Sequence, residues 1–181
     1  MPTSEVHIRA LGEPGDLGWV VMAHGEIYAK EFGWNTEFER LVLQIVADFA
    51  RDPAGAAWIA ERDGRRVGCV FCVPDADPAV AKLRILLVDP AARGQRLGRR
   101  LVAAALQHAQ TAGFERVRLW TNHPLVAARR VYRAAGFVLI DEQPHHSFGV
   151  ELTGQTYELD LTSTSAGSPR AAAGRSVSRD A

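Results

Sequence analysis

Apolar residues recur along this chain in two rhythms, one of period two and one of period three to four, and their alternation lays out the elements. EVHIRAL, residues 5–11, alternates as a first strand. From Gly15 to about Lys30 the apolar positions take helical spacing, until EFGWN interrupts them. TEFERLVLQIVADFAR predicts a second helix, with Thr36 as its N-cap and Glu39 completing a capping box. AAWIAERDGRRVGCVFCV reads as a hairpin that turns at Asp63-Gly64. AKLRILLV is apolar on both faces toward its end, which marks a strand near the middle of a sheet. Residues 96–112 follow as a helix closed by Gly113, RVRLWT as a short strand, and LVAARRVYRAAGF as a helix ending at Gly136. FVLIDEQ and YELDL are the last two strands, and PHHSFGVELTGQ between them reads as a loop. The order predicts an α/β (α+β) fold, a mixed central sheet of about seven strands with helices on both faces.

The pattern stops near residue 161. Ser, Ala, Gly and Arg dominate residues 162–181, so one domain is expected over 1–161, followed by a disordered tail. Over all 181 residues, 21 basic and 21 acidic side chains cancel, which removes any bulk attraction to nucleic acid or membrane. The N-terminal MPTSEVHIRALGE is polar and mixed, unlike a secretory leader, and no apolar run is long enough to span a bilayer. These features predict a cytoplasmic protein. Cys69 and Cys72 have CxxC spacing, but residues three apart in a strand face opposite ways, and no second ligand pair exists for zinc. They are expected to be buried, reduced thiols, with no metal.

Charge is concentrated locally instead. In VDPAARGQRLGRRLV, residues 88–102, a strand ends, two glycines follow, and Arg93, Arg96, Arg99 and Arg100 crowd the start of a helix. Arginine is unfavourable beside a helix N-terminus, which already carries partial positive charge. An anion docked on the free N–H groups of that turn would reverse the sign of the effect. Neither a P-loop nor a dinucleotide fingerprint fits, because no Lys-Ser or Lys-Thr follows Gly98 and only Gly94 and Gly98 are present.

LLVDPAARGQRLGRRLV resembles the acetyl-CoA-binding signature of the GNAT N-acetyltransferases, [RQ]xxGx[GA], with Arg93 first, Arg96 fourth and Gly98 sixth. The fourth position is glycine in the family and arginine here. AARRVYRAAGF is similar to the family's later helix–tyrosine–glycine–phenylalanine block. HGEIYAKEFGWN, LWTN and PHHSFGVELTGQTYELDL resemble the acetyltransferase domain found behind MarR-type DNA-binding domains. With a first strand beginning near Glu5, that DNA-binding domain is expected to be absent here.

The resemblance implies acetyl transfer from acetyl-CoA to a primary amine of a small molecule or peptide, by direct attack on the thioester. It implies that the main chain of Leu86, Leu87 and Val88 pairs with the pantetheine arm, with Val88 N–H as oxyanion donor. The diphosphate is expected on Arg93, Gly94, Gln95, Arg96, Leu97, Gly98 and Arg99. Should Arg96 have helical geometry, it still offers its N–H. Leu125 stands where many members have asparagine, and Asn122 is expected to supply the missing contact, alongside Ala128. Tyr132 is the candidate acid for the leaving thiolate; its helical stripe equally fits a core tyrosine. Candidate bases are His145 and His146, then Glu26, Glu31 and His24. His24, Tyr28, Phe32, Trp34 and Ser147 are expected around the acceptor amine. The alternative is a non-catalytic acyl-CoA-binding sensor, and exposed edge strands could pair two copies into a homodimer.

Overall fold

The structure, a computed structural model, describes residues 5–52 and 54–163. Most of the expected tail, from residue 164 on, therefore lies outside the described residues. The elements are β1 (His7–Ala10), α1 (Asp16–Phe32), α2 (Thr36–Arg51), β2 (Ala56–Arg62), β3 (Arg65–Pro74), β4 (Val80–Val88), α3 (Leu97–Thr111), β5 (Arg116–Asn122), α4 (Val126–Ala134), β6 (Val138–Ser147) and β7 (Val150–Asp160). A short 3-10 turn, Pro90–Ala92, links β4 to α3. The strands form one sheet in the order β1-β2-β3-β4-β5-β7-β6. Only β4 and β5 pair in parallel; every other neighbouring pair is antiparallel.

Alternation along the strands feeds two cores, one on each face. In β3, Val70 and Cys72 join Leu97, Leu101 and Ala105 of α3 on one face. Cys69 and Phe71 join Val20 of α1 and Val42 and Val46 of α2 on the other. The two thiols thus sit on opposite faces, free and buried, and burial raises both pKa values, that of Cys72 to about 11. The β2–β3 hairpin turns at Asp63 and Gly64, both with positive φ, as an Asp-Gly type I′ turn requires.

Two expectations need correction. The cap of α2 is Asn35, whose Oδ1 accepts from Glu37 N–H at 3.0 Å; Thr36 is the first helical residue. The segment read as a loop is instead the end of a long β6–β7 hairpin, turning at Phe148 and Gly149. Its breakers are tolerated for local reasons. Pro144 lies on the edge strand β6, where a missing N–H breaks no further ladder. Gly154 lies under Trp120, whose indole Nε1 would be 2.8 Å from an added Cβ.

At the start of α1, Asp16 is fully buried. Its carboxylate accepts from Arg9 at 2.8 and 2.9 Å, from Arg66 at 2.7 Å, and from the N–H groups of Gly12 and Glu13 at 2.9 Å each. The bond to Arg9 above all holds its pKa well below the usual carboxylate range. This cluster pins β1 and α1 to the β2–β3 hairpin. Asp16→Asn is expected to cost about 3 kcal/mol in urea unfolding at pH 7, the scale of a broken buried ion pair. A carboxylate whose pKa falls on folding stabilises above its unfolded value, near 4, and ceases to as pH drops further. The gap between wild type and variant should therefore narrow below about pH 4.

Candidate active site

β4 and β5 start side by side and then part. Their parallel ladder runs from Val80–Arg116 to Leu83–Leu119 and no further. At that point the register of β4 on β3 slips, and Ile85 takes φ 43°, a conformation costly for a β-branched residue. The bulge turns β4 away from β5 and opens a gap through the sheet. One cavity of about 570 Å³ lies toward α3 and α4, and a second of about 590 Å³ lies under α1 and α2. Tyr28, Leu86, Leu125 and Ala128 line both, so the cavities meet there.

The first cavity is lined by Leu86, Leu87, Val88, Arg93, Gly94 and the start of α3 through Arg99. Asp89 N–H bonds Val67 O at 2.8 Å, so strand alternation turns the N–H groups of Val88 and Leu86 the other way, toward the gap. The N-terminus of α3 has no side-chain cap, which leaves its first N–H groups free beside Arg93, Arg96 and Arg99. Arg96 is not helical: φ 57° puts it in the left-handed region, which explains why glycine suits this position. The turn keeps its shape with arginine there. Gly98 permits close approach, since an added Cβ would stand 3.3 Å from Val131. These features fit an anionic, elongated ligand such as a CoA diphosphate and its pantetheine arm.

The four arginines divide their roles. Arg93 makes a two-pronged bond to Glu31, at 2.8 and 3.1 Å, and reaches Val88 O at 3.3 Å, tying the last turn of α1 to the end of β4. Arg96 and Arg99 line the cavity, while Arg100 turns away to bond Val6 O at 2.8 Å.

The second cavity has aromatic walls and a polar floor. Tyr28, Trp34, Phe38 and Phe148 pack as one cluster with ring centroids 4.6 to 5.2 Å apart. Asn35 N–H bonds Phe148 O at 3.0 Å and Phe148 N–H bonds Glu37 at 2.9 Å, clamping the β6–β7 turn to the start of α2. That clamp positions His145. Its Nε2 lies 2.9 Å from Asn122 Oδ1 and its Nδ1 lies 2.9 Å from Ser147 Oγ. Since Asn122 Oδ1 only accepts, Nε2 carries the proton and the Ser147 hydroxyl donates to Nδ1. His24 is 1% exposed; its Nδ1–H donates to Val20 O at 2.7 Å, and its Nε2 has no partner among the described residues. Tyr132 is buried and reaches this cavity from α4 through the gap, with its pKa raised by burial.

The expected site residues thus separate. Tyr132, His145, His24, Tyr28, Trp34 and Ser147 all line the second cavity. Asn122 lines it too, bonded to His145, rather than reaching the cofactor side. Phe32 goes the other way, into the first cavity, and exposed Gln95 lines neither. His146 is corrected outright: strand alternation points it out of the site, to Glu151 at 2.7 Å. Glu26 is exposed on the outer groove between α1 and α2, so it is no base here, and Glu31 is held by Arg93. Lys82, Arg84, Arg118 and Trp120 line this cavity as well, and the two charges inside the apolar run AKLRILLV are the sequence signal for the first two.

A family model described as the acetyltransferase (GNAT) family matches residues 21–137. The chain is 37% identical over 142 residues to a mycothiol acetyltransferase of Sanguibacter keddieii, covering 73% of this chain and 43% of that protein. It therefore spans less than half of that relative. An uncharacterized N-acetyltransferase of Schizosaccharomyces pombe is 29% identical over 149 residues, 81% of this chain and 91% of its own. Among solved structures, a ribosomal-protein-alanine N-acetyltransferase from Brucella melitensis superposes with TM-score 0.70 at 21% identity, covering 86% of this chain and 99% of that one. A Salmonella typhimurium structure, yncA with its cofactor acetyl-CoA, gives TM-score 0.71 at 17% identity, with 96% and 100% covered. These structures share the fold described above.

Burial lowers the His24 pKa to about 4, so its imidazole stays neutral at physiological pH. A histidine with a lowered folded pKa stabilises above its unfolded value, about 6.5, and loses that contribution as pH falls toward 4. An NMR titration should find this ring still neutral at about pH 5.5, where an exposed histidine is mostly charged. His24→Phe should flatten the stability slope between about pH 6.5 and 4.

Proposed function

The chain belongs to the acetyltransferase (GNAT) family, and from that premise we propose that it transfers an acetyl group from acetyl-CoA to a primary amine. The observation that carries this reading is the junction at Leu86, where an anion-suited cavity meets an aromatic one through a gap in the sheet. A thioester reaching through the gap and an amine in the aromatic cavity would meet there, with the entropy of encounter already removed.

Each residue near the junction has a task. The free N–H groups at the start of α3, with Arg96 and Arg99, hold the diphosphate, and the gap-facing main chain of Val88 pairs with the pantetheine arm. Leu86 lines both cavities whereas Val88 lines only the first, so Leu86 N–H is the better-placed donor to the thioester oxygen. Among the described residues no Asp or Glu lines the aromatic cavity, which favours an imidazole as the base. His24 accepts an N–H of the incoming amine at its lone pair, and His145 takes the proton through the Ser147 hydroxyl. The amine nitrogen bonds the acetyl carbon as the carbon–sulfur bond breaks, and Tyr132 gives its hydroxyl proton to the thiolate. Asn122 fixes the His145 tautomer. Among the described residues no helix is long and apolar enough to cross a membrane, and we place the reaction in the cytoplasm.

Calorimetry with acetyl-CoA and a thiol-release assay over an amine panel test this reading. Heat of binding with amine-dependent thiol release is expected. No heat would overturn the cofactor assignment, and binding without release would favour the sensor alternative. Tyr132→Phe should lower kcat by about 100-fold or more, the lower end of the range for loss of a general acid, with acetyl-CoA affinity little changed. Unchanged turnover would remove Tyr132 from the mechanism.

A further inference from the structure

The aromatic cavity is lined by Lys82, Arg84 and Arg118 among the described residues, and by no carboxylate. Two of these cations are matched by acids beyond the lining. Lys82 lies 2.9 Å from Asp75, and Arg118 lies 2.6 Å from Glu158. Arg84 is different. Its side chain is half-buried and forms no hydrogen bond or ion pair with any described residue. Burial already weighs against its charge, and the carboxylates of Asp48 and Asp75 act on it only through longer-range attraction.

The position of Arg84 follows from the bulge. Lys82 and Arg84 share the α1–α2 face of β4, and Lys82 stands beside Arg118 in the parallel ladder. Arg84 is one residue beyond the last β4–β5 pair, at the mouth of the gap and two residues before Leu86. Two residues of strand span roughly 7 Å, and an arginine side chain can fold back over much of that distance. A guanidinium fork matches a carboxylate with two parallel hydrogen bonds. A polyamine, by contrast, would bring further positive charge among three cations.

We propose that the acceptor is an apolar α-amino acid or a side-chain-substituted relative of one: its carboxylate binds Arg84, its side chain lies among Trp34, Phe38, Phe148 and Trp120, and its α-amine meets the thioester at Leu86. This rests on the acetyl-transfer reading and names the substrate class of that site. Arg84 then sets specificity, because an amine without the carboxylate leaves the fork unfilled.

Matched amines test the proposal by thiol release: phenylalanine against phenethylamine and leucine against isopentylamine, compared at equal concentrations of unprotonated amine. Spermidine, glucosamine, phosphoethanolamine and an alanine-initiated peptide complete the panel. The wild type should favour each amino acid over its decarboxylated partner by about 10- to 100-fold in kcat/KM, the range for a charge-assisted bond. In Arg84→Met that ratio should fall to within about threefold of unity, and Arg84→Lys should fall between. Thermal melts check that both variants fold, and the wild-type ratio tests the substrate class even if neither does. A wild-type ratio near unity, preference for any other member of the panel, or a ratio kept by Arg84→Met would overturn the proposal. Absence of acetyl-CoA binding in the wild type would instead overturn the reading beneath it, so the two failures are distinguishable.

Discussion

The ladder between β4 and β5 ends at Leu83–Leu119, and the site depends on that ending. Had pairing continued to Val88, the edge of β4 would be closed by hydrogen bonds to β5. Its N–H groups would then be unavailable to a ligand, and neither cavity would communicate with the other. The bulge at Ile85 is the local cause. It places a β-branched residue at positive φ, an arrangement that persists only where surrounding structure imposes it. Here β3 holds the strand on both sides of the slip, through Phe71–Arg84 and Cys69–Leu87.

The bulge also shifts the parity of β4, and this sorts the chemistry. Arg84 and Leu87 both face the α1–α2 side, though simple alternation would separate them. A charged residue is thereby kept at the cavity floor while the strand end returns to packing. On the far wall, the long β6–β7 hairpin reaches back to α2, where Phe148 is bonded through both its carbonyl and its N–H. A histidine held this way, with both ring nitrogens engaged, has one orientation and one tautomer. His24, buried in the wall of the same cavity, leaves its Nε2 without a partner among the described residues.

The arginine-rich turn before α3 resolves in the same terms. An uncapped helix start is a cost when empty and a binding surface when an anion lies on it. Arg100 contributes to the fold rather than to that surface, and Arg93 stiffens the turn by joining α1 to β4.

Periodicity carried the local assignments because each depends on near neighbours: the span of α2, the Asp-Gly turn and the opposite facing of Cys69 and Cys72 follow from backbone geometry alone. The glycine-arginine turn was legible because its residue types are costly without a ligand. Periodicity failed at Asn35, where the cap came one residue early, and at the β6–β7 hairpin, where PHHSFGVELTGQ, with Pro144 and Gly154 in it, read as a loop. Both breakers are allowed by partners distant in sequence, an open sheet edge and the Trp120 ring. Distance in sequence also hid the division of the site. His145 and His146 are adjacent, yet pleating sends one to Asn122 and the other to Glu151. The sequence by itself therefore determined most of the elements and singled out the arginine-rich turn before α3. Only the tertiary structure decided which side chains share a cavity and that Arg84 stands there without a partner among the described residues, because those facts depend on which strands stop pairing and where.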